Sequence, residues 1–235
     1  MRDELLRWFA DHERDLPWRR TRDPYAILVS EVMLQQTQAA RVAPRYIAWL
    51  EQWPTVEALA GASTTDVLRA WQGLGYNRRA LNLQRAAREI AANGWPSDLT
   101  RLPGVGAYTA AAVDCFAFGK AVLPVDVNVR RVQVRTGERF DHTCAQALMD
   151  LGATVCLARV PHCGECPLAP SCPSRGRRYA PLRKQGAFEG SFRQRRARAL
   201  RALLDERDPG DTEAVAALAA DGLVRLEGGR ATLPD

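Results

Sequence analysis

Four cysteines lie on one short segment of the chain, and their spacing is its strongest chemical signal. They follow a C-x6-C-x2-C-x5-C pattern and are Cys156, Cys163, Cys166 and Cys172. In an intracellular chain, four thiols on one short loop indicate a metal site rather than a disulfide framework. Zinc sites usually contain two C-x2-C pairs and this segment has one. The spacing therefore favours a 4Fe-4S cluster and leaves zinc as the alternative.

A glutamate stands on the apolar stripe of a helix predicted over 24–37. At 100° per residue, Glu31 falls between Ile27 and Leu28, with Leu34 nearby. Burial among apolar side chains raises the pKa of a carboxyl group and suits it to donate a proton. The alternative is a structural glutamate whose charge is satisfied by an arginine.

A second acid, Asp126, stands at the predicted start of a helix, two residues after Pro124. An aspartate at this position is typical of a helix N-cap. It is also a candidate second carboxylate, able to stabilise the positive charge that develops on a sugar when a glycosidic bond breaks. The two acids would then occupy environments that move their pKa values apart.

The sequence LPGVG at 102–106 predicts a tight turn that opens a helix. Such a turn directs free backbone N–H groups and the positive helix end toward an anion, commonly a phosphate. With a helix on each side it is a candidate helix-hairpin-helix, which binds a DNA backbone without reading its sequence. A plain tight connection is the alternative.

Helix-period patterns cover most of the chain, so an all-α fold is expected. They predict helices over about 2–14, 24–37, 40–52, 64–72, 77–93, 107–118, 125–135 and 141–156, with a helix N-cap in the Thr-Thr-Asp sequence at 64–66. Beyond these, two helices over about 191–206 and 211–221 and a hairpin after residue 222 are compatible with a small winged-helix-like tail or with a packing appendage.

The composition is that of an ordinary globular protein. With 46% hydrophobic and 26% charged residues among 235, the chain is too apolar to be disordered. No apolar run approaches the roughly 18 residues of a membrane span, and no signal peptide is apparent, so a soluble, intracellular protein is expected. The net charge is +6, and residues 175–201 hold ten Lys or Arg against one Glu. This basic segment is either a DNA-contacting surface or a solvated stretch.

Taken together and in this order, the features resemble the helix-hairpin-helix DNA glycosylases that carry an iron–sulfur cluster, the superfamily of endonuclease III. Within it the chain is most similar to the MutY family of adenine glycosylases, over residues 1–175. Besides the four cysteines, the motifs that carry the resemblance are LPWR at 16–19, SEVMLQQT at 30–37, GLGY at 73–76, LPGVG at 102–106, VD at 125–126, NV at 128–129 and ALMDLGA at 147–153.

The resemblance implies a particular architecture and partner. A six-helix barrel over 20–123 would be inserted into a cluster domain built from 1–19 and 124–175, followed by a basic linker over 176–190 and the small tail over 191–235. The partner would be double-stranded DNA containing a mispaired or damaged base, with the target nucleotide flipped out of the helix. The protein would be a monomer in the cytoplasm, associated with the nucleoid when bound to DNA.

The resemblance also implies roles for individual residues. Glu31 would protonate the departing adenine and Asp126 would stabilise the sugar C1′, with Tyr108 and Asn128 orienting these groups. Residues implied to contact DNA or the flipped base are Arg19, Leu34, Gln36, Tyr76, Gly104 and Gly106. Endonuclease III has a lysine at the position of Tyr108, and a phenol cannot form an imine. A monofunctional glycosylase without Schiff-base lyase activity is therefore predicted.

Some features depart from the MutY pattern. The large C-terminal domain that recognises 8-oxoguanine has no counterpart here, and Asn77 and Val127 replace a usual tyrosine and glycine. Adenine opposite 8-oxoguanine or guanine stays the favoured target. Excision of thymine or uracil opposite guanine is the first alternative. A non-catalytic iron–sulfur regulator that binds DNA is the second, although it would not need both Glu31 and Asp126.

Overall fold

The computed structural model describes residues 1–180, 186–227 and 230–234. The helices are α1 (Arg2–His12), α2 (Pro24–Leu34), α3 (Ala39–Gln52), α4 (Val56–Gly61), α5 (Thr64–Ala70), α6 (Arg78–Asn93), α7 (Ala107–Phe116), α8 (Val127–Thr136), α9 (Ala145–Thr154), α10 (Phe192–Leu204) and α11 (Thr212–Ala220). Single 3₁₀ turns cover Pro17–Arg19, Leu99–Arg101, His142–Cys144 and Ala169–Ser171. Two short antiparallel strands, β1 (Arg225–Glu227) and β2 (Arg230–Thr232), form a hairpin. The expected all-α class is confirmed.

The predicted helices are found, with two local differences. The short helix α4 was not predicted, although Thr55 caps it by accepting a hydrogen bond from the Ala58 N–H. The predicted N-cap at 64–66 is wrong by one residue, because the hydroxyl of Ser63 accepts from the Asp66 N–H and the helix begins at Thr64. Within the described residues, no helix is long and apolar enough to cross a bilayer.

Backbone contacts divide the chain into two compact units. The first contains Met1–Ile27 and the described residues of Gly106–Lys184, and the second contains Leu28–Val105 and the described residues of Gln185–Asp235. Both units are therefore built from two separated stretches of sequence. The predicted domain boundaries near residues 20, 123 and 175 stay predictions.

The first unit has its core between α1, α8 and α9. Leu5 of α1, Val129 and Val132 of α8, and Leu148 and Leu151 of α9 are each less than 1% exposed. Since burying a side chain of this size contributes about 1.5–3 kcal/mol, this cluster accounts for the packing of the three helices. It holds the start of α8, where Asp126 lies.

The second unit is centred on α6, against which α4 and α5 pack. Its core contains three tryptophans, Trp49, Trp53 and Trp71, arranged edge to face. The tail belongs to this unit, since Arg69 of α5 donates to the Leu204 carbonyl at 3.3 Å and Thr65 donates to the Pro234 carbonyl at 3.3 Å.

Several basic residues of α10 are used inside the tail. Arg195 forms ion pairs with Asp211 and Glu213 at 2.7 and 2.8 Å, and Arg196 pairs with Asp221. These two arginines therefore join α10 to α11 rather than forming part of an open basic surface. The predicted linker over 176–190 lies partly outside the described residues.

Candidate active site

Glu31 is buried, as its helical position predicts. It is 5% exposed, on a helix whose neighbouring residues Ile27, Leu28 and Val32 are at most 3% exposed. The helix begins at Pro24, and the Asp23 carboxylate accepts a hydrogen bond from the Tyr25 N–H at 3.1 Å. A carboxylic acid in such surroundings is held away from bulk water.

Asp126 is the N-cap of α8, as predicted, and its carboxylate is held by three donors. Oδ1 accepts from the backbone N–H groups of Asn128 and Val129 at 2.8 and 2.7 Å, and Oδ2 accepts from the Asn128 side-chain amide at 2.8 Å. Together these bonds fix the orientation of the Asp126 side chain at the start of the helix. The structure thus brings Asp126 and Asn128 together.

A network of hydrogen bonds continues from Asn128 toward Cys156, the first of the four clustered cysteines. Arg131 donates from Nη2 to Asn128 Oδ1 and to the Gly152 carbonyl, both at 2.6 Å, and from Nε to the Cys156 carbonyl at 2.7 Å. Glycine is required at 152, because a Cβ there would lie 2.6 Å from the Asn128 Cβ. The network therefore fixes the Asn128 side chain that in turn orients Asp126.

The four clustered cysteines line one cavity, whose other walls include Val132, Leu151 and Leu168. All six cysteines of the chain are free thiols. Burial raises the pKa of the Cys166 thiol, and its three partners in the cluster, namely Cys156, Cys163 and Cys172, raise it further. Within the ranges that the structure describes, no group of three or more His, Cys, Asp or Glu side chains is arranged to hold a metal ion.

Arg135 makes further contacts at this cavity that sequence reasoning missed. Its side chain is 6% exposed. It donates from Nη1 to Cys156 Sγ at 3.4 Å and to the Leu157 carbonyl at 2.6 Å, and from Nη2 to the Ala158 carbonyl at 2.7 Å. The guanidinium carbon also lies 3.8 Å from the ring centroid of Tyr179. An arginine in the last turn of a helix gives no sequence signal for contacts with these particular groups.

The residues predicted to enter the duplex, Gln36 and Tyr76, lie on exposed loops. Tyr76 is 47% exposed, and both residues have left-handed backbones, with φ of 56° for Gln36 and 47° for Tyr76. Leu34 is half-buried at the end of α2. Their roles at DNA stay predictions.

The predicted tight turn at 102–106 is present. The Val105 N–H donates to the Leu102 carbonyl at 3.1 Å, and α7 follows directly. Gly104 has a φ of 77°, and a Cβ on it would lie 2.7 Å from the Asn82 Cβ, so the turn needs glycine there. Gly106 is the N-cap of α7 in an extended conformation that any residue can adopt.

Arg19 has a structural partner that sequence reasoning missed. Its guanidinium is 9% exposed and donates to both carboxylate oxygens of Asp150 at 2.8 and 2.7 Å, and Asp150 is fully buried. Arg14 donates to the same carboxylate from its backbone and its side chain. The predicted place of Arg19 in a base pocket stays a prediction beside this ion pair.

The remaining candidates are divided between the units. Tyr108 is half-buried in the first turn of α7 and belongs to the first unit together with Asp126 and Asn128. Glu31 belongs to the second unit. Glu31 is thus buried on α2, and Asp126 is held by hydrogen bonds at the start of α8.

Comparison with known proteins shows extensive similarity. Residues 29–141 match the family model described as HhH-GPD superfamily base excision DNA repair protein. A protein of Mycolicibacterium smegmatis named adenine DNA glycosylase is 43% identical, over 88% of this chain and 81% of that protein. The human adenine DNA glycosylase is 39% identical, over 81% of this chain and 42% of that protein.

Solved structures give the same picture of the fold. A thermostable thymine-DNA glycosylase has a TM-score of 0.66 and 30% identity, over 73% of this chain and 93% of that chain. A non-covalent endonuclease III–DNA complex has a TM-score of 0.62 and 25% identity, over 73% of this chain and 92% of that chain.

Proposed function

The chain belongs to the adenine DNA glycosylase family of the HhH-GPD superfamily, and we propose that it removes adenine mispaired with 8-oxoguanine or guanine. It is a base excision repair DNA N-glycosylase that hydrolyses the bond between the base and its sugar. The observation that carries this conclusion is 43% identity over 81% of a named adenine DNA glycosylase. Extrusion of the adenine from the duplex precedes the chemical step, because a stacked base is out of reach.

In the proposed reaction Glu31 is the proton donor to the departing base. Its 5% exposure supports this role, because burial shields the carboxyl group from bulk water and fixes its position. Adenine is a poor leaving group as an anion, and protonation makes it a neutral one. The same carboxylate, once deprotonated, can take a proton from the attacking water.

Asp126 is the proposed carboxylate that stabilises the positive charge developing at C1′ of the sugar. Its three hydrogen bonds at the start of α8 support this role, because they fix the orientation of the side chain. Asn128 orients it directly. Tyr108 carries a phenol and cannot form a Schiff base. The product is therefore an abasic site, and the DNA strand is not cleaved by β-elimination.

The cysteines Cys156, Cys163, Cys166 and Cys172 are proposed to hold a 4Fe-4S cluster. The donor types fit, because four free thiols line one cavity and all-thiolate ligation is typical of such clusters, but as described they do not form a ligating group. When bound, the cluster supplies metal–thiolate bonds that tie together the loop 156–172. Arg135 contacts the first of these ligands, since it donates from Nη1 to Cys156 Sγ at 3.4 Å.

The partner is proposed to be duplex DNA containing the mispair. Support comes from the resemblance to an endonuclease III–DNA complex and from the glycine-dependent hairpin at 102–106. Removal of mispaired thymine is a second candidate, since a thymine-DNA glycosylase has a similar fold. The higher identity to adenine glycosylases favours adenine over thymine.

The test is single-turnover base release from four duplexes, containing adenine opposite 8-oxoguanine, adenine opposite guanine, thymine opposite guanine and uracil opposite guanine. We expect release from the first two only. Replacing Glu31→Gln should lower the rate by about 10²–10⁴, the usual contribution of a positioned proton donor, with duplex affinity nearly unchanged.

The matched control is Glu57→Gln, which alters an exposed glutamate at the start of α4. It should release adenine at the wild-type rate. Release of thymine or uracil instead of adenine would contradict the proposed substrate. An undiminished rate in the Glu31→Gln protein would contradict the proposed role of Glu31.

A further inference from the structure

A single buried arginine, Arg79, joins two loops of the second unit. It lies in the first turn of α6 and is 9% exposed. Its two terminal nitrogens donate to six acceptors on two separate segments of the chain. Nη1 donates to the carbonyls of Val32, Met33 and Gln35 at 2.8, 2.9 and 2.6 Å, and Nη2 donates to Thr37 Oγ1 and the carbonyls of Leu74 and Gly75 at 3.1, 3.0 and 3.0 Å.

The acceptors are groups that the backbone leaves without helical partners. Val32 and Met33 belong to the last turn of α2, where carbonyls have no intrahelical donor. The carbonyls of Gln35, Leu74 and Gly75 lie in loops. A guanidinium can serve such a set because its N–H groups form a flat fork with fixed directions.

The same two loops carry the left-handed residues Gln36 and Tyr76. A non-glycine residue in this conformation is held there only when its surroundings determine it. Arg79 binds the chain on both sides of Gln36 and binds the carbonyl immediately before Tyr76. The guanidinium also lies 5.7 Å from the Tyr76 ring centroid.

Arg79 keeps its charge under ordinary conditions although it is buried. Burial lowers the pKa of Arg79 to about 10, and Tyr76 acts in the opposite direction. The side chain therefore stays protonated through neutral pH. Trp71 covers another side of it, with its ring centroid 5.2 Å from the guanidinium carbon.

We propose that Arg79 is a positioning residue that sets the backbone of both loops and so directs Gln36 and Tyr76 toward the duplex. It acts from inside the protein without touching DNA. This inference rests on the proposed function, because the ligand of the two loops is the mispaired duplex. The observation behind it is that one side chain donates hydrogen bonds to six acceptors on the two loops.

The decisive variant is Arg79→Lys, which keeps the positive charge but replaces the flat fork by three donors on one nitrogen. Its control is Arg88→Lys, on the same helix, where an exposed arginine donates from Nε to the Ala60 carbonyl at 3.1 Å. Dissociation constants are measured for a fully paired duplex and for one holding an uncleavable adenine analogue opposite 8-oxoguanine. A fluorescent adenine analogue reports base flipping.

We expect the Arg79→Lys protein to bind the fully paired duplex nearly as well as the wild type does. Its preference for the mispaired duplex should fall about tenfold or more, the factor that corresponds to losing one hydrogen bond to a charged group. The flipping signal should weaken in parallel. The Arg88→Lys protein should match the wild type in both measurements.

A wild-type preference and flipping signal in folded Arg79→Lys protein would overturn the inference. If this variant does not fold, Thr37→Val removes the hydroxyl that accepts from Arg79 at 3.1 Å and donates to the Gln35 and Leu74 carbonyls at 3.4 Å. The same loss of preference is expected at smaller size. An unchanged preference there would equally overturn it. Failure of the proposed function is recognised separately, because the wild type itself would then release no adenine.

Discussion

The ion pair between Arg19 and Asp150 allows a quantitative test of how the first unit is held together. Asp150 is fully buried, Arg19 is 9% exposed, and the carboxylate also accepts two hydrogen bonds from Arg14. Asp150→Asn keeps the shape of the side chain and removes its charge. The buried Arg19 guanidinium then keeps only Glu13 as a counter-charge, and that carboxylate lies 3.7 Å away and is 47% exposed.

The size of the effect follows from burial. Breaking a buried ion pair by removing one partner costs about 3–5 kcal/mol in the free energy of unfolding. In a protein of this length each kcal/mol moves the melting temperature by about 2–4 °C. The Asp150→Asn protein should therefore melt roughly 6–20 °C below the wild type.

The chain contains a matched control in the exposed pair Arg20–Asp15. The carboxylate and guanidinium are in direct contact there as well, but the two side chains are 70% and 77% exposed. Exposed pairs contribute about 0–1 kcal/mol, so Asp15→Asn should lower the melting temperature by at most about 4 °C. Thermal unfolding followed by circular dichroism compares the two.

The difference between Asp150→Asn and wild type should also depend on pH. Burial raises the pKa of Asp150, but the hydrogen bonds from Arg19 and Arg14 outweigh burial, so the pKa lies below its usual value. A carboxylate with a lowered pKa contributes stability that is fully present above the unfolded value of about 3.9 and is lost as the pH falls through the folded value. The stability advantage of the wild type should thus be constant near neutral pH and shrink below about pH 4. Equal losses for Asp150→Asn and Asp15→Asn at pH 7 would refute the reasoning.

Two further predictions concern the helix contact beside Asp126 and the cysteine set. Gly152→Ala should lower stability by about 1–3 kcal/mol in thermal melts, because its Cβ would meet Asn128, whereas Gly61→Ala, which meets nothing within 4 Å, should be neutral or stabilising. A wild-type melting temperature for Gly152→Ala would contradict this account. Cys166→Ser should abolish the visible absorbance and the bound iron of the purified protein, whereas Cys115→Ser should retain both. Zinc in place of iron in the wild type would contradict the proposed cluster.

The sequence was sufficient for the parts of the site that depend on local rules. The helical stripe predicts the burial of Glu31, the position after Pro124 predicts the N-cap at Asp126, and the glycine at 104 predicts the tight turn. Each of these depends on residues within one or two helical turns. The sequence pattern contains that information directly.

The missed features depend on partners that are distant in sequence. In the sequence Arg79 looks like an ordinary residue of a helix surface. Only the folded chain brings the carbonyls of Met33 and Gln35 to it. Arg19 and Asp150 likewise stand 131 residues apart. No local pattern predicts which acceptors a buried arginine will bind, because its partners depend on how whole helices pack.

The arrangement of the first unit also has a consequence for synthesis on the ribosome. The helix α1 buries Leu5 against α9, and Arg19 needs Asp150, so this unit lacks essential parts until the chain has grown by the 131 residues that lead from Arg19 to Asp150. At about 5–20 residues per second, that takes roughly 7–26 seconds. Throughout this time the nascent chain carries α1, an amphipathic helix whose partner for Leu5 has not yet been synthesised. Cells in which translation pauses between residues 27 and 145 should therefore lose more of this protein to aggregation or proteolysis than cells in which the pause falls after residue 155.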